Sequence, residues 1–270
     1  MKRRNGMFAV GIIICVALMC FSGYRIYQTL AAYRAGDAVN KEVQQYVQLE
    51  PETQQENTNP SEPQNGELTQ TEPLPDADPV IYPEVDFDSL LAINEDVVGW
   101  IYIEDTAINY PIVQGEDNRE YVSTSVDGKY NQYGSIFMDY RNTSDFSDRH
   151  TVIYGHYMKN GAMFRDIRKY DDPQFYEAHP TGMIMTPEEN FQFEVIGGYV
   201  ASTADASWQL SFAGEEDFGA WLQDSMDRST IGGTVVPSVN DRILTLSTCS
   251  YEFSNARFVL VCRIIENINR

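Results

Sequence analysis

Thr245-Leu246-Ser247-Thr248-Cys249-Ser250-Tyr251-Glu252-Phe253, with Arg257 four residues on, is the stretch around which the chain is organised. It reads as a β-strand ending in a cysteine. Alternation sends Leu244, Leu246 and Thr248 to one face and Thr245, Ser247 and Cys249 to the other, so the cysteine shares the more polar face. The next run, Arg257-Phe258-Val259-Leu260-Val261-Cys262-Arg263-Ile264-Ile265, is a second strand rich in β-branched residues. The seven residues between Cys249 and Arg257 suffice for a hairpin loop. Such a hairpin sets a guanidinium at the start of one strand beside a thiol at the end of its neighbour. At neutral pH only roughly a few per cent of an unperturbed cysteine is thiolate. A nearby cation raises that fraction, and an arginine can also steady an oxyanion. Free cysteine is as a rule a small buried hydrophobe, and it is the polar face that makes Cys249 a candidate nucleophile.

A thiol nucleophile needs a base or acid partner, most often histidine, and the chain has three. His179 precedes Pro180 in a loop-like stretch, and His150 follows charged turn residues. His156 follows the strand Thr151-Val152-Ile153-Tyr154 and Gly155. That places it at a strand end beside a glycine turn, where loops carry chemistry on a rigid sheet.

The net charge of -21 and pI near 4.3 argue against nucleic acid, which requires a basic face. Cys15 and Cys20 fall in an apolar N-terminal run. Cys249 and Cys262 fall on opposite faces of their strand patterns, so no bridge between them is expected and the chain is not a disulfide scaffold.

A basic tail, residues 1–6 with Lys2, Arg3 and Arg4, precedes 18 uncharged residues, 7–24, which match a membrane span in length and lack a small-residue cleavage pattern after them. The sequence predicts an uncleaved anchor with a cytoplasmic N-terminus and the remainder outside. Residues 25–84 read as an acidic polar linker, partly helical or disordered, with eleven acidic residues and one lysine between Asp37 and Glu84. Residues 85–270 are the expected folded, extracellular domain. A short helix opens it over 86–94, capped by Asp86, with Phe87, Leu90 and Leu91 on one face. Strand patterns follow at 98–103, 107–113, 135–139, 151–154, 182–186 and 191–200, then the two described above. This is the spacing of an antiparallel barrel or sandwich. Helical patterns interrupt at 163–169 and 215–228, the second with acids in its first turn.

Several blocks resemble the class B sortases. Thr151-Val152-Ile153-Tyr154-Gly155-His156-Tyr157-Met158-Lys159-Asn160-Gly161-Ala162-Met163-Phe164 is similar to their histidine motif. The opening stretch with Arg257 is similar to their cysteine motif. Val98-Gly99-Trp100-Ile101, Ile108-Asn109-Tyr110-Pro111-Ile112-Val113-Gln114 and Ser135-Ile136-Phe137-Met138-Asp139 also match family blocks. The resemblance covers about residues 86–266. Tyr157 departs from it, since the family often has Asn there, and this raises a question about pocket shape.

The resemblance implies a mostly β fold: a closed eight-stranded sortase-type barrel with an N-terminal helix and a helix between strands six and seven, preceded by the membrane helix. It implies an extracellular cysteine transpeptidase of a Gram-positive bacterium, held in the cell membrane by a single span. The matched catalytic residues are Cys249 as nucleophile, His156 as acid and base, and Arg257 as oxyanion and substrate contact. Ser247, Asn118 and Val122 match substrate-binding positions. The partners implied are secreted proteins carrying a C-terminal sorting signal, cleaved after Thr, and an amine of a cell-wall peptide or peptidoglycan precursor. No cofactor and no metal is implied. Two other readings compete: a pilin-polymerising sortase, and a non-catalytic, membrane-tethered barrel acting as adhesin or scaffold. The first often has an Asp-Pro-aromatic lid and a second span, whereas this chain has Asp78-Pro79-Val80 and one apolar run. A papain-like order, cysteine before histidine, is the reverse of what stands here. The compact Ser-His-Gly-Cys block of L,D-transpeptidases is missing from the sequence.

Overall fold

A computed structural model describes residues 2–49, 82–233, 235–249 and 254–265. Eight strands close into a barrel: β1 (Val97–Tyr102), β2 (Asn109–Val113), β3 (Ile136–Met138), β4 (His150–Tyr154), β5 (Thr181–Met185), β6 (Asn190–Ser202), β7 (Ile243–Cys249) and β8 (Ala256–Ile265). Around the barrel the order is β8-β6-β5-β1-β2-β3-β4-β7, closed by the β7–β8 pair. Two neighbour pairs, β2–β3 and β4–β7, are parallel and the others antiparallel. The sheet is therefore mixed, not wholly antiparallel as the strand spacing alone suggested.

Alternation decides which side chains fill the barrel. Leu244 and Leu246 of β7, and Phe258, Leu260 and Cys262 of β8, point inward into one cluster with Ile101, Ile112, Ile153 and Phe193. The outward set, Ile243, Val259 and Val261, is covered by Phe218, Trp221 and Leu222 of a helix in the β6–β7 connection, Glu215–Asp227. Each such side chain fully withdrawn from water contributes roughly 1.5–3 kcal/mol. Cys262 is buried inside and Cys249 lies outside, in keeping with their opposite faces; both are free thiols. Between Val261 and Cys262 the β8–β6 register slips by one residue at Ile196, a bulge that bends β6.

The outer elements follow the sequence with some adjustments. A helix spans Phe87–Ile93, and its Asp86 cap accepts from the Ser89 amide at 3.0 Å. Leu90 is buried, but Leu91 faces solvent because seven residues make too short a helix to hold a wide apolar stripe. The 163–169 pattern forms a 3-10 segment, Phe164–Asp171, followed by the short helix Pro173–Ala178.

The N-terminal helix, α1, runs from Lys2 to Gln44. It is long and apolar enough to cross a membrane, and the apolar side chains of 12–27 are exposed along it. Its far end departs from the linker expectation. Val43 is 2% exposed, packed with Leu90 and Trp100, and Val47–Gln48 pairs with Glu84–Val85. The folded body thus begins well before residue 85. The Val39, Val43 and Val47 spacing, one helical turn apart, carried that signal beneath the acidic composition. The centre of the acidic stretch, residues 50–81, and Ser250–Phe253 of the cysteine motif lie outside the described residues.

Candidate active site

Three adjacent strands, β4, β7 and β8, end at one edge of the barrel and bring the chemistry together. Arg257 stands opposite Cys249 in the β7–β8 ladder. Tyr154 pairs with Ser247 across the parallel β4–β7 ladder, and beyond it the Gly155 amide donates to the Ser247 carbonyl at 3.0 Å. The Thr248 hydroxyl donates to the Gly155 carbonyl at 2.8 Å. These bonds carry β4 one step past its end, so that His156 reaches Cys249 and hydrogen-bonds with it. Residues more than ninety positions apart meet because a parallel pair places two strand C-termini side by side.

The electrostatics follow from this placement. The His156 hydrogen bond draws the Cys249 thiol below its ordinary pKa. Partial burial opposes that shift and the Arg257 charge adds to it. His156 is pushed up, first by Cys249 and also by the Val122 carbonyl, against the effect of burial. Cys262, enclosed in the barrel, has its thiol pushed up by desolvation alone. The two thiols of the folded body are thus shifted in opposite directions for an identifiable reason.

A groove of about 590 Å³ surrounds the thiol. Of the six site residues expected from the sequence, all line it: Cys249, His156, Arg257, Ser247, Asn118 and Val122. Val122 exposes its side chain, but its carbonyl accepts from His156 Nε2 at 2.7 Å. Asn118 spends its amide on Asp139 at 2.9 Å and its oxygen on the Tyr140 amide at 3.0 Å. Ser247 is buried at 2% exposure and its Oγ accepts from Trp208 Nε1 at 3.4 Å. Tyr157, the departure from the family pattern, is not among the described lining residues. Its backbone pairs with Met163 and the Arg165 guanidinium lies 5.7 Å from its ring.

Sequence reasoning missed the opposite wall. Trp208 and Gln209, from the β6–β7 connection, and Arg141 and Tyr154 also line the groove. Asp139, with no exposed surface, ties this wall together. It takes two hydrogen bonds from the Arg141 guanidinium, at 2.8 Å each, one from the Arg141 amide at 3.1 Å, and one each from Asn118 and Tyr154 at 2.9 Å. Burial pushes its carboxyl up, but these donors outweigh that and hold it below the ordinary range. His150 does a similar task beneath the connection. Fully buried, it donates from Nδ1 to the Gln209 carbonyl at 2.7 Å, and its Nε2 accepts from the Thr245 hydroxyl at 2.8 Å. No local sequence signal pairs His150 with Thr245, which stand 95 residues apart on two different strands. No cluster of metal-ligating side chains occurs among the described residues.

Comparison with known proteins agrees with this geometry. The sortase domain model matches residues 101–265. The chain is 40% identical to sortase B of Listeria monocytogenes over 178 residues, covering 65% of this chain and 72% of that one. It is 30% identical to sortase B of Staphylococcus aureus over 268 residues, covering 98% and 99%. The structure of an S. aureus sortase B–substrate complex superposes with a TM-score of 0.63 at 35% identity, covering 67% of this chain and 84% of that one. A closed eight-stranded barrel, a thiol and imidazole meeting at its edge and these relatives together establish that the chain belongs to the sortase family of cysteine transpeptidases, in its class B branch.

Proposed function

We propose that Cys249, His156 and Arg257 are the catalytic residues and that the enzyme cleaves a C-terminal sorting motif of secreted proteins after Thr, then joins them to a cell-wall peptide amine. The Cys249 thiolate attacks the Thr carbonyl carbon and forms a C–S bond. Arg257, across the ladder from it, stabilises the oxyanion. As the C–N bond breaks, His156 gives its proton to the departing amine, leaving a thioester. An incoming amine attacks the thioester, His156 takes its proton, and the thiol is released with a new amide formed. Ser247, Asn118 and Val122 contact the bound peptide along the groove. The α1 helix anchors the enzyme in the cell membrane with its N-terminus in the cytoplasm and the barrel outside.

The observation that carries this reading is the hydrogen-bonded Cys249–His156 pair with Arg257 opposite, opening on a groove of about 590 Å³. Sortase B has been solved in complex with substrate, from S. aureus, and with triglycine, which supports a peptide donor and an amine acceptor. The test is a Thr-containing peptide library incubated with the full chain and triglycine. A Thr–glycine ligation product, lost together with the acyl-enzyme in Cys249→Ala, is expected. Ligation that survives in Cys249→Ala, or a wild-type chain that only binds the peptides, overturns the proposal.

A further inference from the structure

We infer that the membrane-distal end of α1 is a positioning element for His156, with Asp37 tying together the two segments that hold the imidazole. The inference rests on the acyl-transfer reading only for its purpose; its geometry is independent of it.

The first segment presents the Val122 carbonyl. Tyr133, 1% exposed, donates from its hydroxyl to Asp37 Oδ1 at 2.8 Å and meets the Tyr33 ring edge-on at 5.8 Å. A Cβ on Gly36 would lie 2.6 Å from the Tyr133 ring, so only glycine lets the helix approach this closely. The next residue along, Gly134, has φ +56, and a Cβ there would fall 2.4 and 2.5 Å from the carbonyl oxygens of Tyr121 and Val122. The chain beside Tyr133 is therefore pressed against the carbonyl that accepts from His156. The Ser135 amide bonds the Tyr121 carbonyl and the Asn131 amide bonds the Ser123 carbonyl, both at 3.0 Å, which fixes the segment on either side.

The second segment is the loop that carries His156. Its Asn160 amide donates to Asp37 at 3.3 Å and to the Tyr133 hydroxyl. The loop is closed at its neck by the Phe164 amide on the His156 carbonyl at 3.0 Å. Met163, at that neck, holds a positive φ of 59 that a non-glycine residue adopts only when its surroundings enforce it. Its amide is held by the Tyr110 hydroxyl at 2.9 Å, and its sulfur receives Asn40 Nδ2 of α1 at 3.9 Å. Gln44, at the helix end, fastens to the Asn109 carbonyl at 2.9 Å. One helix thus touches both supports of the imidazole, which a flexible linker could not do. Small errors in the placement of a catalytic group are costly, and a continuous helix from the membrane span carries that placement here.

The test uses the full chain in detergent micelles and needs no peptide substrate. The rate of Cys249 alkylation by iodoacetamide is followed from pH 5 to 10 by peptide mass spectrometry, with buried Cys262 as internal control. Asp37→Ala and Tyr133→Phe are expected to move the midpoint upward and slow the reaction at pH 7 by about two- to tenfold. The double variant is expected to do little more than either single one, and Asp37→Glu to recover part of the loss. Variants that melt earlier while keeping the wild-type midpoint overturn the inference, because that marks a contact serving stability alone. Additive effects of the two substitutions overturn it too. Since thiol titration is read without ligation, failure here and failure of the transpeptidation reading are separable.

Discussion

His156 Nε2 lies 2.7 Å from the backbone carbonyl of Val122. A carbonyl only accepts, so Nε2 carries the hydrogen and Nδ1 is left as the basic nitrogen. A backbone atom, which substitution of the side chain at 122 leaves in place, thereby sets the tautomer of the proposed acid-base. The Cys249 thiol and this imidazole are hydrogen-bonded and shift in opposite directions, which favours passage of the thiol proton to Nδ1.

That arrangement sets the pH profile of the thiol. Because folding lowers the Cys249 pKa, thiolate appears at lower pH than in an ordinary cysteine, and alkylation should rise with pH through that lowered midpoint. His156→Ala removes the largest cause of the shift, so the midpoint should move up toward the unperturbed value of about 8.5. An alanine variant with an unmoved midpoint would show that the hydrogen bond is not what activates the sulfur.

Arg257 is expected to act on the transition state more than on binding. Its position across the ladder from Cys249 is fixed by strand register, and Nη1 is braced on the Ala256 carbonyl at 2.9 Å. Arg257→Ala should cut kcat for peptide cleavage by about 10²–10³, the usual cost of losing one oxyanion donor. Arg257→Lys should restore part of that. A variant that raises KM and spares kcat would instead make Arg257 a ground-state contact.

The legible part of this molecule was the part written locally. Period-two alternation placed Leu244 and Leu246 inside and Cys249 outside, and all eight strands were found from such patterns. What escaped was whatever depends on partners distant in sequence. Trp208 and Gln209 sit in a connection with no strand period, and their place over Ser247 is set by Thr245 and His150 from two other strands. Asp37 counted as one acid among many in a polar stretch, yet its hydroxyl donor, Tyr133, lies 96 residues away. Composition averages over such a residue, and only the fold singles it out.

The groove wall built on Asp139 gives a third expectation. Asp139→Ala would strand Tyr154, Asn118 and Arg141 without their common acceptor. The expected loss of stability is about 2–3 kcal/mol, less than for a fully buried pair because the Arg141 side chain is 45% exposed. Arg141 also reaches the Trp208 carbonyl at 3.4 Å, so the connection carrying Trp208 should loosen with it. Peptide KM should rise more than kcat falls. An unchanged KM alongside reduced stability would confine Asp139 to the scaffold.

His150 makes the stability of the enzyme sensitive to mild acid. Burial pushes its pKa down to about 4, from an ordinary value of 6.5, because an imidazolium there would be stripped of water beside the Trp221 ring at 4.3 Å. Between those values the unfolded chain binds a proton that the folded one refuses, so stability rises with pH across the window and is lost as pH falls through it. The gap corresponds to roughly 3 kcal/mol. The carboxylates with lowered pKa, Asp139 and Asp205 among them, withdraw their support only below about pH 4. His156, whose pKa is raised, contributes fully below pH 6.5 and weakens only above it. Urea unfolding at intervals from pH 4 to 7 should therefore show a slope that flattens in His150→Gln. An identical pH slope in wild type and His150→Gln would mean that some other group carries the acid sensitivity.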